Sequence, residues 1–231
     1  MLNRKPAEHM RNSVGGDVDG ARLPAGSAKL LLGKRQVLFQ EREPALFIYE
    51  VLEGTLMIYH LLADGRRQIV DLALPGSVSG YSRDGSHEYS CEAMTPSSLI
   101  AYDRAVLKSA DAISIRLLQQ MERQVCELAS HIVLLGRKTT EERLASFLVK
   151  CAKAWRTGGD EKAASFHIPM TRVEIGDYLG LSLETVSRGI AGLERRGIVS
   201  TGSRQGEMRV NDVAALSNAP RAKSARHARS L

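Results

Sequence analysis

A long stretch without glycine or proline, from Arg104 to Leu135, constrains the fold more than any other feature of this sequence. Within it, apolar residues recur in alternating steps of three and four, the a/d pattern of a helix with one apolar seam. The seam consists of Leu118, Met121, Val125, Leu128, Ile132 and Leu135. The pattern predicts a helix over residues 106–136, capped by Gly136, that either packs on its own domain or pairs with its twin in a homodimer.

The region before this helix, residues 28–105, contains turn signals at short intervals. Asp64-Gly65 lies between two apolar runs, which indicates a hairpin because both central residues of such a turn must tolerate positive φ. Gly54, Pro75-Gly76 and Asp84-Gly85 add further turns. Repeated short strands are typical of an antiparallel β-barrel or jelly roll. Residues 1–27 are polar and show no periodicity, so we expect a flexible arm there.

The sequence of residues 137–216 predicts a second domain, which is mainly helical, unlike the β-strand region at residues 28–105. Thr139 with Glu142, and Thr171 with Glu174, have the spacing of a capping box, which opens a helix. Gly180-Leu181 then makes a tight break, and Ser182 can cap the next helix. Two short helices joined by such a turn form a helix-turn-helix, whose second helix enters the DNA major groove. The alternating segment IVSTGSRQGEMRV predicts a two-stranded wing, and residues 217–231 predict a basic, disordered tail.

The second helix of this motif has two different faces. Its apolar residues recur at helical spacing on one side: Leu183, Val186 and Ile190. Glu184, Ser187 and Arg188 recur on the other. Arginine can donate two hydrogen bonds to guanine, glutamate can accept one from cytosine, and serine can contact a base edge or a methyl group. The alternative is a surface ion pair between Glu184 and Arg188, worth a few tenths of a kcal/mol. The capped partner helix, the tight turn and the wing favour base recognition.

The net positive charge of the chain is concentrated in residues 137–231, which include this motif. Residues 1–136 contain 15 Lys/Arg and 16 Asp/Glu, whereas residues 137–231 contain 17 and 10. A basic domain beside a neutral one suggests a polyanionic partner.

No apolar run approaches the roughly 20 residues that a membrane span requires. The three cysteines are widely spaced without a CxxC pair, and the N-terminus lacks a secretion signal, so we expect a cytoplasmic protein without membrane association.

The segment TRVEIGDYLGLSLETVSRGIAGLERRGIV resembles the winged helix-turn-helix of the Crp/Fnr transcription factors, and the order of the elements matches over about residues 28–216. The resemblance implies an α+β fold and a homodimer that binds palindromic double-stranded DNA and contacts RNA polymerase. Glu-x-x-Ser-Arg resembles the Fnr-type reading head, which implies TTGA…TCAA half-sites. The cyclic-AMP-binding branch typically carries Arg and Gly where this chain has Leu183 and Ser187. The resemblance implies phosphate contacts at Arg172, Ser182 and Thr185. We expect a further phosphate contact at Arg204 in the wing.

The barrel differs from the known sensors of this family. Cyclic-AMP receptors hold the nucleotide phosphate with Gly-Glu and a following Arg-Ser/Thr, whereas here Tyr81 follows Gly80, and His87-Glu88 occupy roughly the second position. Oxygen-sensing Fnr proteins hold an iron–sulfur cluster with N-terminal cysteines, and the first 90 residues contain none. We therefore expect no cofactor and no metal. The chain then resembles the FixK-type branch, which has an Fnr-like reading head without the cluster, and this resemblance implies an activator. That branch is associated with low-oxygen, respiratory and nitrogen-fixation genes.

Three alternatives remain at this point. The first is a Crp/Fnr repressor that responds to a small effector or to oxidation of Cys126 or Cys151. The second is a cupin-type barrel enzyme, which needs a His-x-His and further metal ligands; His60 and His87 are isolated, so no catalytic residue is assigned. The third is an RNA-binding or architectural basic protein, which as a nonspecific binder would gain nothing from a carboxylate directed toward the nucleic acid.

Overall fold

A computed structural model of the protein describes residues 17–18, 21–22, 26–109, 111–157, 163–202 and 206–218. The chain divides into two compact units, Met1–Leu128 and Ala129–Leu231. Most of the predicted arm and of the predicted tail lies outside the described residues. Within the predicted arm, the two short strands β1 (Asp17–Val18) and β2 (Ala21–Arg22) pair antiparallel.

The first unit contains two four-stranded antiparallel sheets, in the strand orders β3-β10-β5-β8 and β4-β9-β6-β7. Their strands are β3 (Ser27–Leu32), β4 (Val37–Phe39), β5 (Phe47–Glu53), β6 (Leu56–Leu61), β7 (Arg67–Ala73), β8 (Val78–Ser79), β9 (Ser90–Ala93) and β10 (Ser97–Asp103). Tyr49 and Leu99 of one sheet belong to the same buried cluster as Leu56 and Cys91 of the other. The predicted antiparallel barrel or jelly roll is confirmed.

Two glycines shape the turns of this barrel. Gly65 has φ 81° between β6 and β7, where Asp64 Oδ1 accepts a hydrogen bond of 3.0 Å from the Arg66 amide. Gly54 has φ 89° between β5 and β6, and a Cβ there would lie 2.6 Å from the Pro96 carbonyl oxygen. A side chain is therefore excluded at Gly54 by both conformation and space.

The long helix α1 (Ala112–Arg137) begins later than residue 106, the start that the sequence predicts. A separate 3₁₀ turn, Arg104–Lys108, comes before it. Each segment has its own aspartate cap: Asp103 Oδ1 accepts from the Ala105 amide at 2.8 Å, and Asp111 Oδ1 accepts from the Ser114 amide at 2.8 Å. Gly136 does not end the helix, because Arg137 is still helical and the Lys138 amide still donates to Leu134 O at 3.2 Å.

The six predicted seam residues of α1 do not share one environment. Leu118, Val125 and Ile132 are 45%, 63% and 70% exposed, and Ile115 continues the same stripe at 52%. Met121 instead packs on a buried cluster formed by Leu117 of the same helix and four barrel residues, Ile48, Val78, Ile100 and Tyr102. Leu128 and Leu135 are half-buried. The barrel of the same chain therefore covers part of Met121, and a homodimer seam formed by these six residues stays a prediction.

The second unit combines helices with a small sheet of strand order β11-β12-β14-β13. Its elements are α2 (Thr140–Ala154), β11 (Arg156–Thr157), β12 (Ala164–His167), α3 (Arg172–Leu179), α4 (Leu183–Arg195), β13 (Val199–Thr201), β14 (Glu207–Val210) and α5 (Val213–Asn218). The residues expected on the inner face of α2 are buried: Leu144, Phe147, Leu148 and Cys151. Helix α5 extends into the predicted tail. In the part of the chain that the structure describes, no helix is both long and apolar enough to span a bilayer.

Candidate nucleic-acid interface

Helices α3 and α4 form the predicted helix-turn-helix. The capping box opens α3: the Glu174 amide donates to Thr171 Oγ1 at 3.2 Å, and the Thr171 amide donates to Glu174 Oε2 at 2.8 Å. Gly180 ends the helix in the left-handed region, with φ 63°. The turn that follows lies so close to α3 that a Cβ on Gly176 would be 2.4 Å from the Leu181 carbonyl oxygen. These local interactions place the first residues of α4.

The N-terminus of α4 is capped by Ser182, whose Oγ accepts from the Thr185 amide at 3.2 Å. The two hydroxyl oxygens, Ser182 Oγ and Thr185 Oγ1, lie 2.8 Å apart in one shared hydrogen bond. One of the two hydroxyl protons is used in that bond, so the other remains for an acceptor such as a phosphate oxygen. Ser182, a predicted phosphate contact, is therefore also the cap of α4, and Thr185, the other one, is its hydrogen-bond partner.

The proposed reading residues lie on the outward face of α4. Glu184 and Arg188 side chains are 76% and 71% exposed, with Oε1 and Nη1 3.8 Å apart, and Ser187 is half-buried. An exposed ion pair at that distance is worth about 0–1 kcal/mol, so separating it to contact bases costs little. The ion pair considered as an alternative is present, and it does not compete strongly with base recognition.

The apolar face of α4 is only partly buried. Val186 and Ile190 are buried as expected, but Leu183 is 51% exposed. Leu183 is the first residue of α4, and the core face of the helix begins only at Val186. Leu183 lies with Val173, 49% exposed, on the wall of a concave surface of about 600 Å³ between α3, α4 and the wing. The sequence pattern does not indicate a site at Leu183 or Val173, because apolar residues of an amphipathic helix usually face the core.

Arg172, another predicted phosphate contact, lines the same concave surface from the exposed first position of α3. The predicted wing is present as the antiparallel pair β13–β14, and the Gly202 amide donates to Glu207 O at 3.0 Å across it. Arg204 lies outside the described residues. A second concave surface of about 520 Å³, between α2 and α4, is lined by Arg188, Arg195 and Arg196.

The first unit contains a buried carboxylate held by α1. Glu50 is 5% exposed and accepts hydrogen bonds from Tyr102 Oη at 2.9 Å and Gln120 Nε2 at 2.9 Å, and it pairs with Arg116. Burial by itself raises the pKa of Glu50, but the hydrogen bonds from Arg116, Gln120 and Tyr102 outweigh it and hold the pKa below its usual value. Glu50 is therefore ionised and fully partnered.

A second buried carboxylate, Asp71, is also bound by α1. Asp71 Oδ2 accepts from Gln124 Nε2 at 2.6 Å, and its Oδ1 accepts from the Leu72 amide at 2.8 Å. Gln124 uses its other end as well, because its Oε1 accepts from the Val78 amide at 3.2 Å. The sequence pattern did not predict this polar contact between barrel and helix, since glutamines on a helix face are usually exposed.

The barrel residues compared with cyclic-nucleotide sites have other environments. His87 is 4% exposed and stacks on Phe39 with ring centroids 3.8 Å apart, and burial lowers its pKa to about 4. It is therefore neutral at pH 7. Tyr81 is 40% exposed. Partial burial of its hydroxyl, together with a smaller effect of the negative charge of Asp71, raises the pKa of Tyr81 to about 12. Glu88 is exposed.

The cysteines and histidines are dispersed. Cys91 and Cys151 are buried, which raises the pKa of both thiols, and Cys126 is exposed. His60 Nδ1 lies 2.9 Å from Glu41 Oε2. Within the described ranges, no three His, Cys, Asp or Glu side chains are grouped as ligands of a metal ion.

Comparison with known proteins matches both units. Residues 30–111 match the cyclic nucleotide-binding domain, and residues 142–219 match the Crp-like helix-turn-helix domain. The nitrogen fixation regulation protein FixK of Bradyrhizobium diazoefficiens is 34% identical over 175 residues, 71% of each chain. The transcriptional activator protein anr of Pseudomonas aeruginosa is 32% identical over 73% of this chain and 71% of its own. The structure of FixK2 from Bradyrhizobium japonicum aligns with TM-score 0.74 and 35% identity, over 83% of this chain and 96% of that one.

A cyclic-nucleotide-binding-type barrel and a winged helix-turn-helix in one chain define a DNA-binding transcription regulator. The chain belongs to the Crp/Fnr family, and it is similar to FixK proteins of that family. The resemblance stated from the sequence is therefore confirmed.

Proposed function

We propose that this regulator binds a TTGA…TCAA-like palindrome as a homodimer, without cyclic nucleotide and without an iron–sulfur cluster. The observation that carries the proposal is the outward face of α4, where Glu184 and Arg188 are exposed beside each other on a helix with a fixed N-terminus. Arg188 donates to guanine, Glu184 accepts from the cytosine amino group, and Ser187 contacts a base edge or methyl group.

The exposed apolar residues beside this face give the site a further element of specificity. Leu183 precedes Glu184 at the tip of α4, and Val173 lies on the same concave surface. Apolar side chains distinguish thymine through its methyl group. A half-site that begins with two thymines offers such methyl groups. Arg172, Ser182, Thr185 and Arg204 contact phosphates in this proposal and position the helix without reading sequence.

Dimerisation is supported by the exposed stripe of α1. Ile115, Leu118, Val125 and Ile132 repeat at intervals of three and seven on one helix face, and each is at least 45% exposed. Apolar residues repeated in this way form a coiled-coil seam with a second helix. The homodimer matches the two-fold symmetry of a palindrome.

Effector independence is supported by the charges inside the barrel. Among its described residues, the buried charged side chains are Glu50 and Asp71, both carboxylates already bound by α1. A cyclic phosphate is an anion, and no buried Lys or Arg is found there to bind it. His87 is neutral and stacked, so it does not provide the positive charge either.

We further propose that the protein acts in the cytoplasm as an activator that contacts RNA polymerase, by binding and not by catalysis. The support is the named function of its relatives, an activator in one case and a nitrogen fixation regulator in another. The resemblance to the FixK-type branch implies that its targets in this proposal are nitrogen-fixation and low-oxygen genes.

The test is the affinity of the purified protein for a fluorescent TTGA…TCAA duplex, measured by anisotropy at fixed salt because such affinity depends steeply on ionic strength. We expect tight binding without any additive, and weaker binding to a duplex with scrambled half-sites. Titration with cyclic AMP, and anaerobic incubation with iron and sulfide, should change the affinity by less than a factor of two. A tenfold tightening, about 1.4 kcal/mol of coupling, in either condition would contradict effector independence.

A further inference from the structure

Arg143, on α2, donates hydrogen bonds to three backbone carbonyls in two other segments. Its Nη2 lies 2.6 Å from Leu135 O, its Nε 3.0 Å from Lys138 O, and its Nη1 3.2 Å from Leu179 O. Leu135 and Lys138 belong to the last turn of α1 and its exit, and Leu179 is the last residue of α3. One side chain therefore connects the C-terminal ends of two helices.

The chemistry of arginine suits this position. The last carbonyls of a helix have no partner within the helix, and they form the negative end of its dipole. A guanidinium carries five N–H donors in a rigid plane, so it can reach several carbonyls at once and supply the complementary charge. A lysine at the same place keeps the charge but cannot make three bonds in that fixed geometry.

A second contact joins the same two helices. His131 of α1 stacks on Tyr178 of α3 with ring centroids 4.2 Å apart and an interplanar angle of 19°. Lys150 of α2 donates to Tyr178 Oη at 3.2 Å. The end of α1 is thus attached to α3 at two points, His131–Tyr178 and Arg143–Leu179.

The position of Leu179 gives this attachment its importance. Leu179 is followed by Gly180, the left-handed residue that begins the turn into α4. Arg143 Nη1 would lie 3.6 Å from a Cβ on Gly180. Arg143 therefore connects the helix that carries the apolar stripe directly to the turn that aims the reading helix.

We propose that Arg143 is the positioning residue that sets the half-site spacing of this regulator; the inference rests on the proposed homodimer. In a two-fold dimer, the separation of the two reading helices follows from how each is attached to its α1. Half-site spacing is the geometric consequence of that separation. Without the Arg143 bonds, each α4 keeps its base-reading face but is no longer held at one distance from its twin.

The experiment compares wild type with Arg143→Lys, and uses Arg137→Gln as the control. Arg137 is the exposed last residue of α1, so its replacement removes a charge near the junction without removing the three carbonyl bonds. Anisotropy is measured on palindromes with the optimal spacer and with spacers one and two base pairs longer or shorter. A duplex with one half-site is included.

For Arg143→Lys we expect about tenfold weaker binding at the optimal spacing and little change at the other spacings or on the single half-site. The preference for the optimal spacer then falls at least fivefold. Arg137→Gln should weaken all duplexes by the same factor. A merely structural role predicts equal losses on every duplex and an earlier unfolding transition, followed by the fluorescence of Trp155, the single tryptophan.

A second variant, His131→Leu, removes the other attachment point and decides the question if Arg143→Lys does not fold. It should relax the spacing preference in the same direction. If the wild-type preference survives in the folded variants, the role of Arg143 is overturned. If wild type itself binds a single half-site as tightly as any palindrome, the proposed dimeric function fails as well, so the two failures are distinguishable.

Discussion

Replacing Gly176 with alanine should destabilise the DNA-binding unit, although alanine is the better helix former. A Cβ at this position would lie 2.4 Å from the Leu181 carbonyl oxygen and 3.7 Å from the Ser182 carbonyl carbon. A carbon–oxygen contact needs about 3.3 Å, so the turn must move by roughly 1 Å. Because the obstructing atom belongs to the backbone, we expect a cost of about 3 kcal/mol, at the upper end of overpacking effects. The gain of about 1 kcal/mol in helix propensity leaves a net loss of about 2 kcal/mol.

Gly192→Ala is the matched control, because Gly192 lies in α4 and the nearest atom to its Cβ position is Arg195 Nη2 at 3.9 Å. That variant should be more stable than wild type by about 0.5–1 kcal/mol. Urea unfolding followed by Trp155 fluorescence reports on the unit that contains both glycines. With a slope of about 2 kcal/mol per molar urea, Gly176→Ala should lower the midpoint by about 1 M. Equal midpoints for the two variants would refute the steric argument.

Three further predictions concern the interface, the reading face and pH. Val125→Asp combined with Ile132→Asp should give a monomer in sedimentation experiments, and a dimer that persists would place the interface elsewhere. Arg188→Ala should reduce the binding free energy on the specific duplex by about 1–3 kcal/mol and relax the sequence preference. Arg172→Ala should weaken binding to all duplexes alike and reduce the slope of log affinity against log salt by about one. Equal losses of affinity on specific and random DNA for Arg188→Ala would contradict its role in base reading. Burial lowers the pKa of His87 to about 4, whereas histidine in the unfolded chain has a pKa of about 6.5. Between these two pH values the unfolded chain binds a proton that the folded chain does not bind. The free energy of unfolding should therefore fall as pH decreases from 7 to 5. The fall in urea midpoint, measured by circular dichroism, should be smaller in His87→Gln.

The parts of the site that could be predicted from sequence depend on local interactions. The capping boxes at Thr139 and Thr171 and the left-handed Gly180 involve residues at most four apart, so their spacing in the sequence is already their geometry. The orientation of Glu184 and Arg188 follows from helical periodicity once Ser182 caps α4. The hairpin at Asp64-Gly65 is predictable for the same reason, because a turn is defined by its own residues.

The structure decided which apolar residues are covered. Apolar residues spaced by three and four identify a helix and its apolar side. Several neighbouring stripes on one helix satisfy this spacing. Which stripe packs on the barrel of the same chain depends on residues that are distant in the sequence. Met121 is therefore covered by residues such as Ile48 and Tyr102, while Val125 stays exposed. Leu183 illustrates the same limit, since its exposure depends on where α4 begins and on what packs beside it.

The sequence by itself determined the main order of elements, the capping boxes at Thr139 and Thr171 and the side chains of the proposed reading face, because each of these is encoded within one or two helical turns. Only the tertiary structure revealed the partners of Glu50 and Asp71 on α1 and the three carbonyls bound by Arg143. Those contacts join residues that are far apart in the chain, and a polar side chain shows its partner only when the fold has brought the two together.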